Sequence, residues 1–569
     1  MRSFILLVLV FSVYLFFVFP KANGPITYDE VYRAVAAQTL LQEGKPITIM
    51  TTGAAFASES MLFISLEAFA YKTFGVSNVS TRLVGVLCVF LQLFMVMLIS
   101  RELFGDARRR TIFFLIASTI LITNPAFQQG SLMPFNETTT MPLLSVVFFY
   151  FFLVFDRKKT IVLMAALAGI FALGLWARPA APFIFIISMA AYYCLNKDRV
   201  AMTKTLFIFL FGFVLFAVTW KFYYAGTIMD AWEPLRYAAF AATTRWLNKT
   251  MDSRVLGLSL TVIRFALWFG TYFILCWLFA CVKSYHAFKT QKAGSAVFYL
   301  ALFSFCVGIG HFLSGGLPFG FPRFHFIMLG AMSLLCAFIL VEPMSKLPLK
   351  SMILLFVGLI FAVLFYRYFV KDLILTLNFE LRQALALFPG QARSVLRDFT
   401  ARYTLYLIPS FAIVVVLWFK RKLVVERIMI AFFVLILSSN LAMAFTQRSA
   451  DYLTGFCYGT RGMADVIRYV DSNIILGDKV LAPNDILYYL QAKKVPYLKE
   501  DFWEDLDRLL QAIRQSKAKF VVYSIGHNNI EQFKNVFLKK EFTQMLAKYY
   551  RLIQIGSFNV WERLNHDKS

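Results

Sequence analysis

Two adjacent carboxylates, Asp29 and Glu30, are the first residues in the chain whose types and spacing could do chemistry. They follow an apolar run over residues 4–20 that is long enough to cross a bilayer, so they lie just outside a membrane span. Arg33 comes four residues after Asp29, which puts both side chains on one face if residues 29–42 form a helix. A solvated cap on an interfacial helix has the same pattern, so other charged residues must decide between the two interpretations.

Charged residues from distant parts of the chain share a position at or near the outer ends of apolar segments. Arg178 stands before Pro179 at the hydrocarbon boundary, where a charge is costly and usually faces a cavity or a partner. Arg82 could instead anchor a helix at the lipid headgroups by snorkelling, and His325 could equally be a core residue. The pattern predicts one pocket that joins carboxylates and guanidiniums. Its candidate residues are Asp29, Glu30, Arg33, Arg82, Glu137, Arg178, Arg323 and His325.

Carboxylates and arginines on the outer face of a membrane suit one kind of group transfer. Nucleotide sugars are absent there, and sugar donors are anchored to a polyprenyl phosphate. The phosphate is already a good leaving group, so the acid that a glycosidase needs is dispensable. One carboxylate suffices to take the proton of the acceptor, which is worth about 10²–10⁴ in rate. The planar fork of arginine suits the departing phosphate, so the sequence contains both parts of this chemistry.

The composition is that of a polytopic membrane protein. The 569 residues are 59% hydrophobic and 16% charged, with a mean hydropathy of +0.67, whereas soluble domains are nearer half apolar and a quarter charged. A net charge of +25 would suggest nucleic acid in a soluble protein, but here it mostly lies in short loops, where positive charge sets orientation. We therefore expect membrane lipids and no nucleic acid as partners. The seven cysteines contain no CxxC pair, which argues against a zinc site or a disulfide framework.

Apolar segments alternate with loops rich in lysine and arginine, and these loops assign the two sides of the membrane. The groups at residues 101–110, 157–159, 196–199 and 420–422 are predicted to be cytoplasmic. The fold class predicted is mainly α, a polytopic bundle of about 13 transmembrane helices. The protein is expected in the cytoplasmic (inner) membrane with its N-terminus in the cytoplasm, and the first apolar run is interpreted as a retained helix and not a signal peptide. Residues 21–80 then form an external loop with interfacial helices, Glu67 lying on the polar face of one, and residues 125–139 form another external loop.

Residues 447–569 differ in composition from the rest of the chain. Helical spacing over 466–470 and 506–513 alternates with strand-like stretches at 479–482, 519–523 and 558–562. This order predicts a small α/β domain, which an odd number of spans would place on the periplasmic or extracellular side. It has no GxGxxG or P-loop, so we interpret it as a cap or a domain for docking the acceptor.

The order of several short motifs resembles a known family. These motifs are Tyr28-Asp-Glu-Val-Tyr-Arg33, Phe74-Gly-Val-Ser77, Thr81-Arg-Leu83, Arg101-Glu-Leu-Phe-Gly105, Ala177-Arg-Pro179 and Pro322-Arg-Phe324, with Glu137 at the start of the fourth span. The order is similar to that of GT-C glycosyltransferases of the dolichyl-phosphate-mannose–protein mannosyltransferase and lipid A aminoarabinose transferase kind (glycosyltransferase family 39 type). The resemblance is most specific over residues 1–195 and implies that residues 1–446 form the transmembrane glycosyltransferase domain.

The resemblance also implies roles for particular residues. Asp29 would be the catalytic base within the acidic pair that includes Glu30, and Glu137 would be the second acidic site, where the family usually has Asp. The phosphate of the donor would be bound by basic residues, namely Arg178 and Arg323, with Arg33 or Arg82 in support. The stretch 56–61 lacks the Lys-Pro-Pro motif of many members, so the donor type is not fixed. The family includes members with and without a divalent metal, and no His/Cys/Asp cluster in the sequence decides this.

The implied function is inverting transfer of a sugar from a polyprenyl-phosphate donor to lipid A or another lipid, a glycan or a protein on the outer face of the cytoplasmic membrane. One alternative is a transporter or flippase of lipid-linked saccharides, which would show interrupted helices and charged groups near the middle of the membrane. Another is a non-catalytic assembly protein of the cell envelope, which would need none of the outer arginines.

Overall fold

The computed structural model has two compact units that are discontinuous in sequence. It describes residues 2–26, 28–44, 61–179, 181–224, 266–290, 295–313, 323–369, 392–419, 425–447, 461–490, 493–495, 506–524, 536 and 539–564. The first unit comprises Met1–Phe19, Arg33–Lys371 and Leu405–Thr446, and the second comprises Pro20–Tyr32, Asp372–Thr404 and Gln447–Ser569.

Helices make up nearly all of the first unit. In chain order, the helices up to Thr446 are α1 (Arg2–Val18), α2 (Tyr28–Glu43), α3 (Met61–Phe74), α4 (Asn78–Leu103), α5 (Ala107–Thr123), α6 (Pro125–Leu132), α7 (Thr140–Lys158), α8 (Ile161–Ala177), α9 (Phe183–Leu195), α10 (Arg199–Tyr224), α11 (Thr271–Lys289), α12 (Phe298–Leu313), α13 (Leu329–Ser345), α14 (Leu349–Phe369), α15 (Ala392–Phe419) and α16 (Val425–Thr446). A π-helical turn, Ala266–Gly270, precedes α11, and a 3-10 turn, Arg323–Met328, precedes α13.

The protein is a multi-pass membrane protein. Within the described ranges, seven helices are long and apolar enough to cross a bilayer, or eight if one bent pair counts as a single span. The predicted turning points near Asn124 and Arg157 coincide with the ends of α5 and α7. The total of about 13 spans stays a prediction, because several apolar segments lie partly outside the described residues or are shorter than a full span.

The segment after α5 differs from its prediction as an external loop. Residues 125–132 form α6, which is completely buried and bends by 70° from α5. Pro125 cannot continue the hydrogen-bond ladder of α5, and the Asn124 side chain accepts a hydrogen bond of 3.1 Å from the Phe127 N–H to start the new helix. A Cβ on Gly85 of α4 would collide with the Ser131 carbonyl oxygen, so α6 packs directly on that helix. The prediction of a loop was therefore wrong for residues 125–132, whereas the external side of this segment stays a prediction.

The second unit contains a five-stranded sheet with helices on both faces. The strands are β1 (Lys479–Leu481), β2 (Lys493–Val495), β3 (Phe520–Tyr523), β4 (Tyr550–Ile555) and β5 (Phe558–Arg563), in the order β2-β1-β3-β5-β4. β1 is parallel to β2 and β3, whereas β5 is antiparallel to β3 and β4. The helices are α17 (Met463–Asn473), α18 (Asn484–Tyr489), α19 (Leu506–Ser516) and α20 (Lys540–Tyr549).

Alternation along β3 explains how this sheet acquires two cores. Phe520 and Val522 point to one face, where they pack with α17 and α18, and Val521 points to the opposite face, where α19 and α20 lie. The structure has strands at all three predicted positions, together with two that the sequence pattern did not indicate, β2 and β4. The assignment of residues 447–569 as a domain outside the cytoplasm stays a prediction.

Candidate functional site

Glu137 lies in a buried turn between α6 and α7. The turn is held by its own backbone, because the Phe135 carbonyl accepts from Thr138 N and Thr139 N and the Asn136 carbonyl accepts from Met141 N at 2.8 Å. Hydroxyl groups add to this, since Thr139 Oγ1 donates to the Phe135 carbonyl at 2.6 Å. Glu137 itself is only 4% exposed. The acid is thus held in place by a turn and not carried on a solvated loop.

Arg178 reaches Glu137 from the end of α8. Its backbone N–H closes the helix on the Gly174 carbonyl at 2.8 Å, and its φ of −158° is the extended conformation favoured before a proline. The side chain leaves the helix axis and its Nη1 donates to Glu137 Oε1. The Asn136 amide donates to the Ala177 carbonyl, which joins the turn of the acid to the helix end of the arginine. Two residues that are 41 positions apart in sequence are therefore fixed together.

Arg33 contacts the same carboxylate from α2. Its Nη2 is 4.0 Å from Glu137 Oε2, and its guanidinium carbon lies 4.4 Å from the centroid of the Phe135 ring, which stabilises the charge by a cation–π interaction. The Arg33 side chain is 5% exposed and that of Arg178 is 28% exposed. One carboxylate between two guanidiniums leaves a local charge of +1, and this combination suits an anion such as a phosphate.

The other members of the predicted acidic pair and arginine set are only partly described. Glu30 is buried on α2, one residue after Asp29. The backbones of Asp29 and Arg323 lie in α2 and in the 3-10 turn before α13, but their side chains fall outside the described residues, as does the stretch 56–61. The structure consequently brings together Glu137, Arg178 and Arg33. The roles of Asp29, Glu30 and Arg323 stay predictions.

Arg82 does not snorkel to a headgroup layer. It is 1% exposed on the first turns of α4, and its Nη1 donates to the Asn78 carbonyl at 3.2 Å. The helix starts with a reciprocal capping box in which Ser77 Oγ accepts from Ser80 N and Ser80 Oγ accepts from Ser77 N. This box fixes the entry of the chain into α4 and therefore the direction of Arg82.

Glu67 is a buried acid, although the sequence interpretation placed it on the polar face of an interfacial helix. It is fully buried on α3, where Glu67 Oε1 accepts a hydrogen bond of 2.7 Å from the Tyr71 hydroxyl. The same hydroxyl lies 2.7 Å from Thr81 Oγ1 at the start of α4. Leu66 and Phe69 are exposed on the same helix, and Lys72 and Thr73 are exposed in its last turn with Phe74. The acid is thus buried while large apolar side chains are exposed, as expected for a helix in a lipid environment. The spacing of Glu67 and Tyr71 by four residues was the available signal.

His325 is buried at 1% exposure in the 3-10 turn before α13. Within the described part of the chain, no group of three or more His, Cys, Asp or Glu residues is arranged to hold a metal ion. Because the Asp29 side chain lies outside that part, the use of a divalent metal stays as open as the sequence left it.

The chain shares its fold with a solved GT-C membrane glycosyltransferase, which confirms at the level of the fold the resemblance predicted from the sequence. The chain is similar to ArnT, a lipid A aminoarabinose transferase, from Cupriavidus metallidurans. The crystal structure of ArnT bound to undecaprenyl phosphate matches with a TM-score of 0.56 and 14% identity, covering 98% of both chains. ArnT in the apo state matches with a TM-score of 0.56 and 13% identity, covering 99% of both chains. At these identities the likeness establishes the fold alone.

A third similar structure is that of the arabinosyltransferase EmbB from Mycobacterium smegmatis, with a TM-score of 0.39 and 14% identity over 79% of this chain and 42% of that one. No protein-family model matches the sequence, and no curated protein matches it.

Proposed function

We propose that this protein is an inverting glycosyltransferase that moves a sugar from a polyprenyl-phosphate donor to an acceptor on the outer face of the cytoplasmic membrane. The observation that carries the proposal is the buried cluster of Arg33, Glu137 and Arg178, which has a net positive charge and lies at one end of α7 and α8. The fold adds support, because it is shared with an enzyme whose crystal structure contains undecaprenyl phosphate.

The proposed reaction is a single displacement at the anomeric carbon of the sugar. Asp29 takes the proton from the acceptor hydroxyl, whose oxygen forms the new bond to that carbon. The bond from the same carbon to the phosphate oxygen breaks, and its electron pair leaves on the polyprenyl phosphate. Attack from the side opposite the leaving group inverts the configuration. Glu30 and Arg323 are assigned to this site through their motifs.

The arginines act where charge develops. The donor is a phosphodiester with one negative charge, and the product is a phosphomonoester whose charge approaches two at neutral pH. Guanidiniums that are already fixed near the phosphate therefore stabilise the transition state more than the bound donor, which raises the rate and not only the affinity. Glu137 is proposed to hold Arg33 and Arg178 in the required direction, and Arg82 to support them.

The side of the membrane follows from charge. Arg157 and Lys158 lie at the C-terminal end of α7, whereas Glu137 directly precedes its first turn. The 19 residues of α7 span about 28 Å, close to the thickness of a bilayer core. The positive-inside rule puts the arginine-rich end in the cytoplasm, so the Glu137 end is proposed to be outside. The candidate acceptors are lipid A, another lipid, a glycan and a protein. We assign residues 447–569 to acceptor docking or capping.

A transfer assay in membranes tests the proposal. Asp29→Asn is expected to lower sugar transfer from a radiolabelled polyprenyl-phosphate donor by about 10²–10⁴, because the base is lost. The matched control is Glu102→Gln, which removes an acid from the opposite end of the bundle and is expected to leave the rate within about twofold. Full activity in Asp29→Asn would reject its role as the base. Mass spectrometry of lipid A, surface glycans and envelope proteins from a deletion strain identifies the acceptor by its missing sugar.

One observation favours transport of a lipid-linked saccharide as a second candidate. The pair α5 and α6 is bent by 70° within the described region, and interrupted helices commonly form the binding sites of transporters. Reconstitution in liposomes separates the two functions, since a flippase moves the intact donor across the bilayer without forming a new glycosidic bond. A non-catalytic assembly protein is separated by Arg178→Ala, which should then have no phenotype.

A further inference from the structure

A cavity lies at the end of the helical unit opposite to Glu137. Its volume is about 640 Å³, and its walls come from α1, α4, α5 and α16 together with one residue each from α13 and α14. Glu102 Oε2 is 3.0 Å from Arg157 Nη1, which joins the C-terminal ends of α4 and α7 and so fixes the end of the bundle at which this cavity lies. The arginine end of this cavity is thus about 28 Å from the candidate site, by the length of α7.

The lining of this cavity is amphiphilic. Three arginines, Arg101, Arg108 and Arg110, line it where α4 ends and α5 begins, whereas most of the remaining lining is apolar, with hydroxyl groups between. Thr119, the last residue of α5 that lines the cavity, follows Arg108 by eleven positions, or about 16 Å along the helix. This depth is close to the thickness of one leaflet, which is half of a hydrocarbon core of about 30 Å.

The positive charge around this cavity calls for an anion. Arg108 and Arg110 lie in the first turn of α5, where the positive end of the helix dipole also disfavours cations and is offset in part by Asp106 at the N-cap. Arg110 donates to two neutral acceptors, the carbonyls of Phe104 and Gly105. Near this end Glu102 pairs with Arg157 and Glu342 with Lys346, and the exposed Asp106 side chain accepts a hydrogen bond of 2.9 Å from the Arg109 N–H. One carboxylate therefore lies beside the three arginines of the lining, and the charge around the cavity stays positive.

An apolar groove lies along the next turns of α1. Ser3 and Leu6 line the cavity, and the next turns of α1, from Leu9 to Phe17, line a second cavity of about 740 Å³ together with α14 and α16. Ser12 is the one polar residue among those that line this second cavity in the described structure. From Ser3 to Phe17 the path is about 21 Å long, which is more than one leaflet requires for a hydrocarbon chain.

We propose that this cavity binds an anionic phospholipid of the cytoplasmic leaflet. The phosphate contacts Arg101 and Arg108, and an acyl chain occupies the apolar groove along α1. Basic pockets between membrane helices on the cytoplasmic side are a known way to bind anionic headgroups. A general positive-inside signal needs only charge near this end of the helices, whereas this site needs Arg101 and Arg108, two of the three arginines that line the cavity. Arg109 separates the interpretations, because it shares their loop and charge but is not part of the lining.

The test measures binding to the purified full-length protein in detergent, by native mass spectrometry and by the melting temperature. The probes are phosphatidylglycerol, phosphatidylcholine and sn-glycerol 3-phosphate. Phosphatidylglycerol is expected to bind and to raise the melting temperature. Phosphatidylcholine and sn-glycerol 3-phosphate are expected to bind much more weakly and to raise it less. Arg101→Gln and Arg108→Gln should each raise the Kd for phosphatidylglycerol about fivefold, the share of one basic residue near a membrane surface, and Arg109→Gln should leave it unchanged.

Three results would overturn the proposal. Equal losses of affinity for phosphatidylglycerol in all three glutamine variants would mean that only the summed charge of the three arginines matters. Equal binding of phosphatidylcholine would remove the role of the anion, and equal binding of glycerol phosphate would remove that of the acyl chain. Arg108→Lys keeps the charge and should retain affinity within about twofold, which separates a lost contact from a damaged fold. Because binding is measured without sugar transfer, this result does not depend on whether the proposed enzymatic function holds.

Discussion

The two ends of the membrane unit use the same side chains in opposite ways. At one end Glu137 is 3% exposed at its side chain and lies between Arg33 and Arg178, whereas at the other end the Glu102–Arg157 pair is 31% and 54% exposed. Water and salt screen an exposed pair, which contributes about 0–1 kcal/mol. Removing one partner of a buried pair leaves an uncompensated charge and costs about 3–5 kcal/mol. Burial, more than residue type, therefore distinguishes the candidate site around Glu137 from the exposed charges at the opposite end.

The largest expected effect is on catalysis. Arg178→Lys should lower the rate of sugar transfer by about tenfold or more, because an ammonium cannot reproduce the planar contact with a carboxylate and a phosphate. Arg157→Lys makes the same change at the exposed end and should leave the rate within about twofold. Initial rates in membranes with equal amounts of each protein provide the measurement. Equal rates for the two variants would remove the distinction between the ends of the bundle.

The next effect is on stability. Glu137→Ala should lower the free energy of unfolding by about 3 kcal/mol, the lower end of the range for buried pairs, since Arg178 retains some contact with solvent. Glu102→Ala should cost less than about 1 kcal/mol. Thermal unfolding of both variants in the same detergent compares them directly, and similar shifts in Tm would show that the two carboxylates experience similar environments.

Loss of the buried Tyr71 hydroxyl is expected to have a smaller effect on stability. Tyr71→Phe removes the hydroxyl that lies between Glu67 and Thr81, and it should lower the free energy of unfolding by about 1–3 kcal/mol because buried polar atoms lose their partner. Tyr368→Phe makes the same change at a residue that is 82% exposed, and it should be nearly neutral. A loss in Tyr368→Phe as large as that in Tyr71→Phe would contradict the burial argument.

The smallest effect concerns pH at the arginine-rich end. The hydrogen bond from Lys159, followed by that from the Ala201 N–H, lowers the pKa of Asp198. A carboxyl group whose pKa is lowered by folding stabilises the fold above its unfolded pKa of about 3.9, and this contribution is lost as the pH falls through the folded pKa. Asp198→Asn should therefore lose less stability than the wild type when acidified below about pH 4. Melting temperatures between pH 3 and 7 measure the difference, and parallel curves would rule out this contribution.

The sequence predicted what depends on local pattern. Hydropathy located the membrane class and the ends of α5 and α7, and alternation located β1, β3 and β5, which are the three central strands of the sheet. The two strands that it missed, β2 and β4, are both edge strands, whose polar residues guard against pairing with another chain and so weaken the apolar signal. The sequence also predicted that Arg178 would face a cavity or a partner, because a charge before a proline at the hydrocarbon boundary is costly. In the structure its partner is Glu137.

Other features depend on the environment that tertiary structure creates. Glu67 was placed on the polar face of an interfacial helix because amphipathicity was interpreted as in water, whereas Glu67 is buried and Phe69 of the same helix is exposed. The bend at Asn124 brings α6 into the core, and no periodicity over eight residues distinguishes such a helix from a loop. The sequence predicted that Glu137 and Arg178 share one pocket, but not that they form an ion pair. The hydrogen bond from Asn136 to the Ala177 carbonyl that joins their segments is non-local, so no local pattern indicates it.

The buried turn that holds Glu137 also has a practical use. Asn136, Glu137 and Thr138 match the acceptor motif for N-linked glycosylation, yet the Asn136 amide is inaccessible and donates to the Ala177 carbonyl. A eukaryotic expression host should leave this position unmodified in every correctly folded molecule. Endoglycosidase sensitivity at Asn136 would thus report chains whose turn did not close before the modifying enzyme reached it.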